Sequence, residues 1–188
     1  MTPTAPKGGE HALWEGSPAL LTELRDLLIT HVSEGTLRVV LQQLMLREGG
    51  REAGVHEVID AVVDVGGNLV AFPVAGSVRE DQRAADRLDA ALTRLRAEIT
   101  EEMGAQPEGL EVIIDGDGHR EVRIAFALEI SPQDVAGRPA PPALHDGAHH
   151  IRHAAPALDD LRDRLTPPPP SLLRRWWDAL RGESRRGV

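Results

Sequence analysis

Two pairs of β-branched segments, each joined by a glycine-containing turn, constrain the fold of this chain more than any other feature. VHEVIDAVVDV and NLVAFPV are separated by Gly66-Gly67, a dipeptide that favours the positive φ angles of a two-residue hairpin turn. LEVIID and HREVRIAFALEI flank the turn Asp-Gly-Asp-Gly at 115–118, and the second segment alternates apolar and polar residues. Both pairs are predicted to be β-hairpins, with Pro73 near an outer end of the sheet.

Three stretches have helical patterns. Behind Ser17 and a proline, leucines recur on one helical face, which predicts a helix over 18–33 with Ser17 as its cap. The four residues from Ser77 have capping-box spacing, and the apolar 3.6-residue period that follows predicts a long helix over 79–103. A short helix is predicted over 157–165.

The fold class that these elements indicate is α+β. Residues 36–47 fit both a strand and a helix, and we favour a strand because apolar residues alternate along much of the segment. The predicted domain has an antiparallel sheet of about four to five strands and a long packed helix, in the order α-β(β)β-α-β-β-α.

The chain divides into an ordered domain and two tails. Residues 1–16 are rich in Pro, Gly and small polar types and are predicted to be a flexible arm. Residues 17–166 form the single α+β domain, within which a Pro/Gly/His-rich segment at 131–156 is expected to be mobile. Residues 167–188 begin with four prolines, which favour an extended spacer, and end in a basic segment with tryptophans.

The charge balance favours a basic partner. The formal net charge is −9, which repels phosphate backbones and anionic membranes. Residues 171–188 carry five arginines against two acids, so the rest of the chain has 16 basic and 28 acidic residues, a charge of −12. With only 3% aromatic residues, stacking platforms for single-stranded nucleic acid are not expected, and nucleic acid is excluded as a partner.

Cysteine usage and hydropathy point to the cytoplasm. There is no cysteine, which excludes disulfides, thiolate nucleophiles and cysteine-based metal sites. The first residues lack a signal-peptide apolar stretch, and no run approaches the ~18 residues that span a bilayer. We therefore expect a cytoplasmic protein without a membrane span.

Two motifs resemble metal sites but lack essential parts. The Asp-Gly-Asp-Gly sequence could begin a calcium loop, but the twelfth position is Phe126, so a tight hairpin is favoured. Four histidines fall within nine positions, where Gly147 and nearby prolines favour a solvated loop over a metal site. No metal site and no cofactor are predicted. The four histidines are His145, His149, His150 and His153.

No catalytic constellation is present in the sequence. There is no serine in a GxSxG elbow, no GxGxxG, no GxxxxGK[ST] and no HExxH. The chain is therefore predicted not to be an enzyme but to bind another protein.

The candidate partner-binding residues form two groups. Acidic side chains on or beside the predicted strands could present a negative surface to a basic protein, and two tryptophans in the basic tail could anchor it to a partner, to lipid or to the domain itself. The acids are Asp60, Asp64, Asp115, Asp117 and Glu121, and the tryptophans are Trp176 and Trp177.

The order of elements is similar to that of a known family. The chain resembles the YezG-like bacterial immunity proteins in the order of its predicted elements. These are an amphipathic helix, a β-meander, a long helix, a hairpin with the turn Asp-Gly-Asp-Gly, and a proline-rich tail with tryptophan. The resemblance covers about residues 18–130, lies chiefly in LEVIIDGDGHREVRIAFAL, and has an echo in PPSLLRRWWDAL. It implies a cytoplasmic antitoxin-like protein that neutralises a cognate protein toxin by covering its active surface, with no catalytic residue carried over.

Two alternatives belong to other classes. The element order is also similar to that of type III secretion chaperones. Those proteins are small, acidic and dimeric, and they bind an extended partner segment in apolar grooves. A homodimer is compatible with either binding function. A metal-dependent enzyme that uses the histidine-rich loop ranks third.

Overall fold

The computed structural model describes residues 11–137 and 139–166. Within these ranges six strands form one sheet in the order β1-β6-β5-β2-β3-β4, and every neighbouring pair is antiparallel. The strands are β1 (Ala12–Trp14), β2 (Thr36–Glu48), β3 (Arg51–Val65), β4 (Asn68–Pro73), β5 (Gly109–Asp115) and β6 (Arg120–Ala125).

The long β2–β3 hairpin is the centre of the sheet. Gly49 and Gly50 both have positive φ at its turn, 57° and 78°, a conformation that glycine adopts without strain. β2 also pairs with β5, so it has a neighbour on each side. β3 is 15 residues long, and β4 pairs only with its second part, from Asp60 to Val65.

The first face of the sheet carries the main hydrophobic core. It is covered by α1 (Pro18–Leu28), α2 (Ala75–Glu80) and α3 (Gln82–Met103). Because side chains alternate along a strand, Val39 and Leu41 of β2 point into this core, while Val40 between them points to the other face. The apolar side of α3 packs into this core. The residues of that side are Leu88, Ala91, Leu92, Leu95 and Ile99.

The second face is covered by the C-terminal part of the described chain. Three short helices lie there, α4 (Pro132–Ala136), α5 (Gly147–His153) and α6 (Ala155–Leu165), with α5 against β3 and β4 and α6 against β2. A small apolar cluster fills one end of this layer. Its buried members are Leu44, Leu46, Ala125, Leu128 and Ile130.

The α+β class with one antiparallel sheet is confirmed, including both hairpins and the strand at 36–47. The described sheet has six strands rather than four to five, because β1 lies within the predicted N-terminal arm. A three-residue strand has too little pattern to detect, and it is held by pairing with β6 and by Trp14, whose indole Nε1 donates to Glu102 at 2.8 Å.

Two predicted helix caps are wrong. Ser17 has a left-handed backbone with φ 49° and makes no side-chain capping hydrogen bond. The long helix begins at Gln82 rather than 79, since the Asp81 carboxylate caps it by accepting from the amides of Arg83 and Ala84. The residues around Ser77 form α2 instead, a separate turn of helix.

The prediction of a loop around the clustered histidines is also wrong. Residues 147–153 form α5, because Asp146 caps that helix and its carboxylate accepts from the amide of His149 at 2.6 Å. The short C-terminal helix is confirmed and begins at Ala155. In the part of the chain that the structure describes, every helix is too short or too polar to cross a membrane.

Candidate functional site

A layer of buried polar side chains separates the second face of the sheet from the C-terminal helices. We call it the polar layer. Two of its members lie four residues apart on β2, two lie four residues apart on β5, and one is on α5. Residues an even number of positions apart share one face of a strand, so the four strand members point away from the apolar core. Its five residues are Arg38, Gln42, Glu111, Asp115 and His150.

A hydrogen-bonded chain runs through the layer from Asp115 to Glu111. The Arg38 guanidinium donates to both oxygens of Asp115, at 2.7 and 3.1 Å, and its Nη1 lies 3.3 Å from Nδ1 of His150. Because arginine only donates, Nδ1 of His150 accepts, and the ring proton is on Nε2. Nε2 then donates to Oε1 of Glu111 at 2.7 Å.

Glu111 is the fully buried carboxylate of this layer. Its second oxygen, Oε2, accepts from Nδ1 of His145 at 3.0 Å and lies 4.0 Å from the Arg123 guanidinium. Burial alone would raise the pKa of this carboxyl, but hydrogen bonds from His145 and His150 hold the pKa of Glu111 below its usual range. Glu111 is therefore a buried anion that imidazoles stabilise.

A row of four imidazoles extends from this carboxylate. Adjacent ring centres are 4.3, 4.2 and 4.3 Å apart along His11, His145, His149 and His153. The pKa of both His11 and His149 is lowered to about 4. Burial is the largest cause for each ring, and the neighbouring His145 is the second. These two rings are consequently neutral near pH 7.

His11 has an unpaired nitrogen. Its Nε2 is buried and has no hydrogen-bond partner in the described part of the chain. A buried polar atom left in this way costs about 1–3 kcal/mol, and it calls for an explanation such as a bound water or ion. A Cβ at Gly109 would lie 3.1 Å from this nitrogen, so the glycine allows the imidazole to approach β5.

The segment before α5 is fixed to the sheet by two side chains. The Gln42 amide donates to the carbonyl of Ala143 and accepts from the backbone amide of His145, both at 2.8 Å. Asp60 accepts from the amide of Gly147 at 2.8 Å. Burial raises the pKa of Asp60, while the bond from Gly147 opposes that rise. These contacts set the position of His145 above Glu111.

The predicted acidic residues have different surroundings. Asp115 is buried and paired with Arg38. Asp117, in the β5–β6 turn, accepts from Arg164 of α6 at 3.0 Å, and Glu121 pairs with Arg123. Three of the five acids are thus paired with arginine, and Asp115 is buried away from solvent. The other two accept backbone amides, Asp60 from Gly147 and Asp64 from Gly67. Trp176 and Trp177 lie outside the described residues.

Sequence reasoning missed His11, Glu111, Arg38 and Gln42. A polar residue inside each buried strand, such as the glutamate of LEVIID, could have indicated this layer. A charged side chain in a buried apolar strand needs a hydrogen-bond or ion-pair partner. His11 carried no such signal. Only the pairing of β1 with β6 brings it to Glu111.

The outer edge of β3 and β4 is a second feature with functional potential. Among the described residues no strand pairs with the free side of β4. Val55 and Val65 lie on the same side of β3 as Ala61, which is the register partner of Phe72 on β4. We call Val55, Phe72 and Val65 the edge row; their exposed fractions are 51%, 47% and 51%.

No family model matches this chain, and the curated proteins contain no sequence that matches it. The resemblance to the YezG-like immunity proteins therefore remains a prediction.

Proposed function

We propose that this protein binds another protein along the outer edge of β3 and β4. The observation that supports this function is the edge row, three exposed apolar side chains on β3 and β4 next to the unpaired outer edge of the sheet. Over the ten residue steps from Val55 to Val65 the row is about 33 Å long at the ordinary rise of a strand. An edge of this kind presents free backbone donors and acceptors that an extended segment of another chain can pair with.

The proposed partner is a basic protein. The chain has a formal charge of −9, and the domain before residue 171 is more acidic than the whole. Long-range attraction of this sign accelerates encounter with a positively charged partner and rejects acidic ones. The apolar row would then supply the short-range contacts.

Among protein-binding functions, we favour neutralisation of a protein toxin over a secretion chaperone. A chaperone for an extended segment needs a broad apolar groove, whereas helices cover both faces of this sheet in the described part of the chain. The exposed apolar side chains near β4 form a narrow row at an edge. That arrangement suits one shaped interface, as expected of an immunity protein.

Affinity capture with matched variants tests this proposal. Phe72→Lys and Val65→Lys place charges on the edge row, which should abolish pairing with a partner strand without changing the core. Ile29→Lys is the matched control, because Ile29 is also 51% exposed but lies after α1. Proteins captured by the full-length chain are identified by mass spectrometry, and binding is then measured with each purified partner.

We expect one basic protein that binds the wild type and Ile29→Lys equally and binds the edge variants at least tenfold more weakly. Co-expression should show that this partner arrests growth and that the wild type, but not Phe72→Lys, restores it. A partner that binds all four proteins equally would exclude the edge row, and a partner without toxicity would exclude the immunity function.

A further inference from the structure

Three side chains from distant parts of the sequence meet at the second face. His11 precedes β1, Glu111 is in the middle of β5, and His145 precedes α5. Each offers one possible metal-ligand atom, and these three atoms lie within 4.8 Å of one another. Two imidazoles and one carboxylate are a donor set that divalent transition metals bind well.

We propose that His11, Glu111 and His145 bind a divalent transition-metal ion, with Zn²⁺ as the representative ion. Zinc binds imidazole nitrogen at about 2.0–2.1 Å and carboxylate oxygen at about 2.0–2.2 Å, so tetrahedral ligand atoms are separated by about 3.3 Å. Glu111 Oε2 and His145 Nδ1 are already 3.0 Å apart. When Nδ1 binds the ion, the proton that Nδ1 now donates to Glu111 moves to Nε2 of the same ring. The remaining separations, all below 4.8 Å, require only side-chain movement of about 1–2 Å.

The unpaired nitrogen of His11 is a second, independent observation that points to an ion at this position. The other rings near Glu111 have hydrogen-bond partners, but Nε2 of His11 is buried without one. A metal ion would occupy its lone pair.

Neighbouring residues hold the ligands in place. His150 donates to Oε1 of Glu111 and is itself fixed by Arg38, while Gln42 binds the backbone of His145. Such outer contacts orient metal ligands and raise metal affinity. Three protein ligands leave one tetrahedral position for water, which makes the proposed site an open one.

The proposed site differs from the one that the histidine spacing suggests. Of the four clustered histidines, only His145 belongs to the group of three, and its partners come from β5 and from the start of the described chain. The site is on the second face of the sheet, whereas the edge row is on the first face, on β3 and β4. Metal binding and partner binding can therefore be tested separately.

Zinc titration of the full-length, chelator-treated protein tests the proposal. Isothermal calorimetry with ZnCl₂ is compared for the wild type, His11→Ala, Glu111→Gln and His145→Ala. His153→Ala is the control, because it removes an imidazole from the same row but not from the group of three. Urea unfolding of each metal-free variant measures whether the fold is retained.

We expect one zinc ion per chain and a loss of affinity of at least about 100-fold in the three ligand variants, more than outer contacts contribute. His153→Ala should bind within about threefold of the wild type. His11→Ala is the decisive variant, because Nε2 of His11 makes no hydrogen bond whose loss could account for weaker zinc binding. Absence of stoichiometric zinc binding in the wild type, or binding that survives in His11→Ala, would overturn the proposal.

Discussion

Arg38 and Asp115 are register partners on β2 and β5 and form a buried, bidentate ion pair. Arg38 also contacts His150, so this pair connects the end of the β5–β6 hairpin to α5. Its effect on stability is expected to be much larger than that of the exposed pair between Asp117 in the adjacent turn and Arg164 on α6.

Asp115→Ala should reduce the free energy of unfolding by about 3–5 kcal/mol, because it leaves the Arg38 guanidinium buried without its counterion. Arg164→Ala is the control and should cost less than about 1 kcal/mol, as exposed ion pairs do. Urea denaturation of both variants measures the difference. Equal losses would mean that the Arg38–Asp115 pair is accessible to water.

Asp60→Asn should stabilise the protein at pH 7. Burial raises the folded-state pKa of Asp60 above the ordinary value of 3.8, so the folded protein favours the protonated acid. Stability therefore falls as the pH rises through that raised pKa, and asparagine avoids the loss while its side-chain oxygen still accepts from Gly147.

The advantage of Asp60→Asn should disappear below pH 3.8, where the wild-type acid is protonated in both states. Unfolding free energies measured at pH 3.5 and pH 7 test this sign. Asp60→Ala serves as the control, since it also removes the acceptor for the Gly147 amide and should give no gain. A variant advantage that is the same at both pH values would contradict this account.

Gly147→Ala should cost about 1–3 kcal/mol through overpacking. An added Cβ would lie 2.8 Å from the Cβ of Ala71 and 2.9 Å from that of Asp60, closer than real contacts allow. Gly76, in α2, has no atom within 4 Å of the same position, so Gly76→Ala should stabilise by about 0.4–1 kcal/mol. Thermal unfolding of the two variants should shift in opposite directions, and a stabilised Gly147→Ala would show that α5 does not pack closely on β3 and β4.

The amino-acid sequence by itself determined the local elements and the class of the fold. Glycine turns between β-branched segments specify hairpins, and the 3.6-residue period of apolar side chains specifies α3. Both patterns can be read locally, because they involve residues that are close together in the sequence. The caps at Ser17 and Ser77 were mispredicted because the same residue types also occur in turns and short helices.

Only the tertiary structure decided which polar residues come together. His11 and Glu111 are 100 positions apart, and pairing of β1 with β6 and of β6 with β5 places them on the same face. Likewise, Asp115 looks like a solvent-exposed turn residue in the sequence but is buried, since β2 supplies Arg38 from a distant segment. Long-range pairing of this kind depends on sheet order and register, which a local pattern of residues does not encode.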